Sequence, residues 1–437
     1  MFQPQRVAPQ FDPSLVQKWM NACKSSHGIR CQIPAKIDVP GLLLINRYTN
    51  QVCEAPSNAS YVALSYVWAK TTAVNVVPVA SFESNPVKSL PLLHSMSQTI
   101  TDSICVTKQL GFTYLWIDKY CIKQHDNAHK MAQIKMMDRI YKRAELTIIA
   151  AAGDDENEGL PGVRSTLRYP QTLFGHGLHT VIFVPPDISL CSKRSKWATR
   201  GWTFQEDILS SRRLCFGFYE TFFVCHSMQC REALRGIERT KDDIEVQRYS
   251  QVSSSSGSHD NYKAISKFLE RGGPFLGDDL KNLQNKPEAI ARGYLQQVRH
   301  LLKDYTPRTL TCNSDALSAF SGVFSHFEDG QFPVYNIQGL PILFAKQSPM
   351  QLEEGLAIAL CWDRPHWEES ERRPDFPSWT WAGWTGPIDY HHGRLELFPT
   401  NVSLEYKEGS IVSLETVARH VADDIKSVAA WQSHSAT

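Results

Sequence analysis

Apolar positions along the first half of the chain alternate between continuous runs and three- and four-residue steps. YVALSYVW from Tyr61 is an apolar, β-rich run that predicts a buried strand. Leu93, Met96, Ile100 and Ile104 then recur at helical spacing, with Pro91 suited to the first turn and Gly111 to the C-terminal cap. TYLWID, Thr113 to Asp118, predicts a second strand with its acid at the C-terminal end. Ile134, Met137, Ile140 and Tyr141 mark another helix, and LTIIAAA from Leu146 a third strand. Strands alternating with helices imply crossover connections and a parallel sheet, whose ligands sit at the C-terminal strand ends. Asp118 is thereby placed on that rim.

Further on, the stretch from Ser195 to Arg213 reads SKWATRGWTFQEDILSSRR. If it is helical, Trp202 and Glu206 lie one turn apart on one face, just after Arg200. The aromatic runs RLCFGF and TFFVC predict a β-hairpin, and SSSSGS from Ser253 a linker. Ile290, Tyr294, Val298, Leu301 and Leu302 give another amphipathic helix. In FPSWTWAGWTG, Trp379 and Trp381 alternate as neighbours on one strand face and are expected to serve packing. The first forty residues carry five prolines and read as an arm that packs on something else; the last fourteen look frayed. These boundaries divide the chain into an arm over 1–40, a main domain over 41–230, a polar linker region over 231–285 and a tryptophan-rich accessory region over 286–437. The fold class expected is α/β, a doubly wound, mainly parallel sheet with an added β-hairpin, plus a mixed α+β C-terminal region.

Composition adds exclusions. With 437 residues, 42% of them apolar, and a mean hydropathy of -0.31, the chain reads as a folded protein of more than one unit. The 46 basic and 45 acidic residues leave a formal charge of +1, so no global field draws nucleic acid or anionic membranes. No apolar run reaches the ~18 residues of a membrane span. Eleven scattered cysteines after an N-terminus without a leader predict reduced thiols and a cytoplasmic setting.

Three groups of residues bear on the chemistry. Cys225, His226 and Cys230 invite a zinc reading, but no second pair completes four ligands, and no metal is expected. Cys121 with His125 lacks an assigned acid and oxyanion donors, so core packing is preferred to a nucleophile. The loop GDDENEGLPG after the third strand carries neither phosphate-cradling glycine pattern.

In three separated blocks, YVALSYVWA, LWIDKYCIKQHDNAHKMAQIKMMDRIYKRAELTIIAA and TRGWTFQEDILSSRRLCF, the chain resembles the fungal heterokaryon-incompatibility (HET) domain family. YTPRTLTCNSDALSAFSG and FPSWTWAGW look like blocks that accompany the domain. Ala69 stands where the family usually has glycine, and His129 where it usually has an acid. HET domains are in turn similar to Toll/interleukin-receptor (TIR) domains, whose flavodoxin-like sheet agrees with the element order above. VALSY resembles the first TIR strand, and Trp202 and Glu206 carry the spacing of the TIR tryptophan and catalytic glutamate.

The resemblance implies an effector of fungal non-self recognition and cell death that hydrolyses NAD at the nicotinamide–ribose bond. No cofactor is then required, NAD or a related dinucleotide being the substrate. Glu206 is the implied catalytic residue, with Ser65, Tyr66, Trp68, Asp118, Arg200, Trp202 and Gln205 binding substrate. Expulsion of a neutral base from a pyridinium needs no general acid, so one carboxylate against the ribose suffices. Implied partners are further copies of the chain or a triggering protein. The rival reading is a non-enzymatic signalling module on the same fold, favoured if Glu206 is spent in a surface ion pair.

Overall fold

A computed structural model describes residues 2–34, 37–69, 88–89, 96–176, 179–183, 195–236, 287–329, 333–343, 352–365, 367, 369–390, 403–405 and 411–413. Pro91, Leu93, the serine run at Ser253 and the last fourteen residues lie outside that set. The chain divides into two compact units, Met1–Gly277 with Arg308–Leu310, and Asp278–Pro307 with Thr311–Thr437.

In chain order the first unit opens with β1 (Phe2–Pro4), α1 (Pro13–Ser26), β2 (Leu43–Asn46), β3 (Gln51–Glu54), β4 (Tyr61–Ser65) and β5 (Lys88–Ser89). There follow α2 (Gln98–Gln109), β6 (Tyr114–Trp116), α3 (Asp118–Cys121), α4 (Asn127–Lys135), α5 (Met137–Arg143) and β7 (Leu146–Ala150). The hairpin of β8 (Leu173–His176) and β9 (His179–Ile182) precedes a helix over Trp202–Ile208. Last come β10 (Arg212–Phe216), β11 (Thr221–Cys225), β12 (Gln229–Arg231) and β13 (Leu234–Gly236).

Among the described residues, nine strands form one sheet in the order β12-β11-β10-β7-β4-β6-β2-β3-β5. Its centre, β6-β4-β7-β10, is parallel, and antiparallel strands extend both edges. Numbered along the chain, the parallel strands run 2-1-3-4, a doubly wound order with its switch point between β4 and β7. The predicted hairpin is present as β10 and β11, with Leu214 opposite Phe223. β10 also pairs with β7, Leu214 beside Ile148, so the hairpin's first strand is the fourth parallel strand. The continuous apolar runs follow from this placement: β4, β7, β10 and β11 are buried at every residue, as strands covered on both faces must be. Fully buried Tyr61, Trp116, Tyr141, Phe216 and Phe223 anchor the core, each contributing roughly 2–3 kcal/mol by burial.

The helices depart from the sequence reading in three places, the first being that α2 starts only at Gln98, after Ser97 at its cap position, which leaves Met96 outside the helix. The helix expected across Ile134 to Tyr141 is two helices that meet at Met136. Asp118 does not end a strand; it opens the single turn of α3, two residues beyond β6. Gly111, at φ 87°, terminates α2 as expected. His129 bridges two loops: its Nδ1 accepts from the Lys123 amide at 3.3 Å and its Nε2 lies 3.1 Å from the Gly41 carbonyl.

The proline-rich first forty residues contain α1, started by Asp12, whose carboxylate accepts from the Ser14 and Leu15 amides. Val16, Trp19, Met20 and Cys23 form the buried face of α1, and the Trp19 ring lies 6.3 Å from that of Phe223 on β11.

The loop after β7 is held by buried Asp102, which accepts from the Leu160 amide at 2.9 Å and the Thr166 hydroxyl at 2.7 Å. Gly159 sits there at φ 80°, where an added Cβ would lie 2.3 Å from Thr166 Oγ1 and 2.7 Å from Asp102 Oδ2. Gly159→Ala is expected to cost roughly 3 kcal/mol, from left-handed backbone strain plus a displaced, buried Asp102. Urea unfolding of the full chain checks this; a midpoint unchanged from wild type would show that the loop relaxes freely.

The second unit holds helices at Pro287–Tyr305, Ser318–Glu328 and Leu352–Ala359 and a hairpin of Val334–Ile337 with Leu340–Leu343. The predicted helical face is confirmed, with Tyr294, Val298, Leu301 and Leu302 buried. The tryptophan expectation is corrected: Trp381 opens a 3-10 turn and is buried, donating to the Gly339 carbonyl at 2.6 Å, whereas Trp379 is 43% exposed. A turn, not a strand, sends the two indoles to different environments. Among the described residues no helix is long and apolar enough to cross a membrane.

Candidate functional site

β4 ends at Ser65, on the C-terminal rim of the sheet and beside the switch point. Across the rim lies the Trp202–Ile208 helix, with Gly201 at its cap position and Glu206 one turn beyond Trp202. The turn before it is clamped by Arg308–Leu310: the Gly201 amide donates to the Thr309 carbonyl at 2.8 Å and the Thr309 amide to the Thr199 carbonyl at 2.6 Å. A Cβ on Gly201 would meet Leu310 Cδ2 at 2.4 Å, so a residue without a side chain is needed for this approach. The Arg308 guanidinium covers the Phe204 ring at 4.7 Å.

Glu206 is buried at 7% exposure and, among the described residues, joins no ion pair. Its Oε2 accepts from the Ser65 hydroxyl at 2.5 Å, and Ser65 Oγ in turn accepts from the Trp197 indole N–H at 2.7 Å. An indole nitrogen only donates, so Trp197 fixes the Ser65 oxygen as its acceptor and leaves the Ser65 proton to point at the carboxylate. The Tyr141 hydroxyl, which donates to the Leu64 carbonyl at 3.2 Å, stands beside the same carboxyl. Burial pushes the Glu206 pKa up to about 7; the Ser65 hydrogen bond lowers it, the negative Asp118 raises it, and Arg200 and Tyr141 lower it.

Asp118 lies on the same rim. Its Oδ2 accepts from the Trp68 indole N–H at 2.9 Å and its Oδ1 from the Lys119 amide at 2.7 Å. Burial raises its pKa to about 6, against the pull of the Lys119 amide, Trp68, Tyr66 and Arg200. The Tyr66 hydroxyl is buried beside Asp118 without a well-aligned hydrogen bond. Trp68 is 37% exposed and is the aromatic surface this rim presents to solvent.

Ser65 therefore joins Glu206 directly, Trp68 and Tyr66 gather at Asp118, and Arg200 is close enough to favour ionisation of both acids. Trp202 is half-buried and packs on the large core cluster. Gln205 is buried, and among the described residues its Oε1 has no hydrogen-bond partner. Cys121 is buried, its Sγ accepting from the Ile117 amide at 3.4 Å, which fits packing.

Sequence reasoning missed Trp197, Tyr141, Lys119 and Glu156. Tyr141 carried only a helix-periodicity signal and Trp197 none, although it lies inside the SKWATRG stretch. Lys119 pairs with Glu156 at 2.8 Å, tying the acidic loop after β7 to α3. The chemistry available here is one buried carboxylate of raised pKa in a preorganised hydrogen-bond relay, a second acid, a cation and an exposed indole.

No solved structure matches this chain. The heterokaryon incompatibility protein 6, OR allele, of Neurospora crassa is 34% identical over 116 residues, which cover 25% of this chain and 17% of that protein. The present chain thus shares under a fifth of the length of that curated relative. Residues 61–206, the stretch that runs from the start of β4 to Glu206 itself, match the family described as heterokaryon incompatibility protein (HET).

Proposed function

We propose that this protein is an effector of fungal non-self recognition that acts by hydrolysing NAD at the nicotinamide–ribose bond. The HET match over residues 61–206 and the N. crassa relative support the biological role. The observation that carries the chemistry is Glu206, buried at the C-terminal rim of a parallel sheet and aligned by Ser65 instead of being spent in a surface ion pair. The parallel order 2-1-3-4 supports a TIR-like reading of the sheet, with the site beside the switch point.

In this reading the Glu206 carboxylate binds the ribose hydroxyls and stabilises the positive charge that develops as nicotinamide departs with the bonding electron pair. Water then adds to the sugar, giving ADP-ribose and a proton. Ser65 and Trp197 hold the carboxylate in place. Arg200 faces the diphosphate through its planar donor fork, and Trp68 offers a stacking surface for a ring of the substrate. Asp118, fixed by Trp68 and the Lys119 amide, positions that wall of the site.

The test is nicotinamide release from NAD by the purified full chain, dilute and artificially clustered. Turnover is expected to rise with pH and to level off above about 7, as Glu206 loses its proton. No release under clustering, with the fold intact, would sink the hydrolase reading and leave the rim as a protein-binding surface.

A further inference from the structure

Outside the rim, the structure gathers four side chains that no part of this chemistry uses. Cys23, His27, Cys31 and Cys225 place one ligand atom each within 4.8 Å of all the others. Three come from the N-terminal segment: Cys23 on the buried face of α1, His27 at its C-cap, and Cys31 at the end of the 3-10 turn Gly28–Cys31. Steps of four residues bring them to one side, roughly a turn apart. The fourth, Cys225, is the last residue of β11, the strand on which α1 packs.

We propose that these four residues form a structural zinc site that fastens the N-terminal segment to the edge hairpin of the sheet. His27 Nδ1 lies 3.6 Å from Cys31 Sγ and 3.4 Å from Cys225 Sγ. Bonds of ~2.3 Å to sulfur and ~2.1 Å to nitrogen give a tetrahedral nitrogen–sulfur edge of about 3.6 Å, so the imidazole already stands at the separation a bound ion requires from both sulfurs. The thiols are free and buried, and no pair of them is joined in a disulfide. Three thiolates around a divalent ion leave one negative charge, and the surroundings answer it. Arg212 donates from Nε to Cys23 Sγ at 3.3 Å and from its terminal nitrogen to the Cys31 carbonyl at 2.7 Å. Such partners orient ligands and offset their charge. A set of three sulfurs and one imidazole, closed by protein at all four positions, suits zinc in a structural role, and loading it expels the thiol protons to solvent.

The expectation from sequence that no metal is held rested on Cys225, His226 and Cys230 lacking a fourth ligand. Cys225 is shared with α1, almost two hundred residues earlier, while His226 and Cys230 stand outside the cluster.

The experiment is metal analysis of the untagged full chain purified in reducing buffer without chelator, then cobalt exchange. About one zinc per chain is expected, with the visible absorption of tetrahedral cobalt–thiolate after exchange. His27→Ala and Cys31→Ser should each lose most of the metal, whereas His226→Ala and Cys230→Ser should retain it. Removing zinc from the wild type should lower hydrogen-exchange protection of α1 by roughly tenfold or more, since metal and fold are coupled. The wild-type stoichiometry and cobalt spectrum decide the matter even if the ligand variants fold poorly. Protein that takes up neither zinc nor cobalt while its thiols are reduced would overturn the proposal, as would equal loss of metal in the His226 and Cys230 variants.

Discussion

Glu206→Gln is expected to stabilise the first unit at pH 8 by roughly 3 kcal/mol and, under the proposed function, to lower NAD hydrolysis by about a hundredfold to a thousandfold. The stability side follows from linkage. Burial raises the folded-state pKa of Glu206 to about 7 from an ordinary value of 4.5. Between those values the unfolded chain has released the proton and the folded chain retains it, so the folded state is progressively disfavoured as pH rises. The contribution is fully present below pH 4.5 and lost by the time pH passes about 7. Glutamine is neutral throughout and keeps an oxygen to accept from Ser65, so the variant and the wild type should be equally stable near pH 4 and diverge above it. The activity side follows because a neutral amide cannot offset an oxocarbenium charge. Urea unfolding of the full chain, monitored by hydrogen exchange in β4 and β7 at both pH values, gives the first result; nicotinamide release gives the second. A Gln variant that is less stable at pH 8 would mean that Glu206 is a structural pin, with its ionised form accommodated by the fold.

Glu220→Ala is expected to be the most damaging single change outside the site, costing 3–5 kcal/mol by the order of magnitude for breaking a buried ion pair. Glu220 is buried in the β10–β11 turn region and pairs with Arg231 on β12, and its Oε2 also accepts from the Ala233 amide at 2.8 Å. Removing the carboxylate takes a charged partner from the buried Arg231 guanidinium and an acceptor from the Ala233 amide together. Glu232, the residue after β12, pairs with Arg168 of the loop after β7 at 2.8 Å and accepts from the Thr221 amide at 2.6 Å, so the loss should spread through β11 and β12. Exchange protection at Phe222 to Val224 in the full chain measures it. Replacing both partners, Glu220→Leu with Arg231→Met, should recover most of the loss, because the uncompensated charge and not the absent pair is what destabilises. A cost below about 1 kcal/mol for the single change would show that water reaches Arg231.

These two acids were not equally legible. Glu206 is marked in the sequence by its spacing to Trp202 and by family resemblance, but its hydrogen bond with Ser65, 141 residues earlier, is a contact that no short-range pattern carries. Nothing local marked Glu220, because its partner lies eleven residues on and only the pairing of β11 with β12 brings it close. The same division runs through the fold. Tyr61–Ser65, Tyr114–Trp116 and Leu146–Ala150 were readable as strands, since burial on both faces demands unbroken apolar runs. That Arg212–Phe216 would be the fourth parallel strand was not readable, since a hairpin arm and a central strand have the same composition.

By itself, then, the sequence determined the alternation of strands and helices, the rim on which Asp118 and Ser65 sit, and the turn that separates Trp202 from Glu206, because each is a property of short-range periodicity. Tertiary structure alone decided the Trp197–Ser65–Glu206 relay, the burial that lifts Glu206 to about 7, and the meeting of Cys225 with Cys23, His27 and Cys31. Those depend on residues dozens to hundreds of positions apart in the chain, and only folding removes the water and sets the distances on which their chemistry depends.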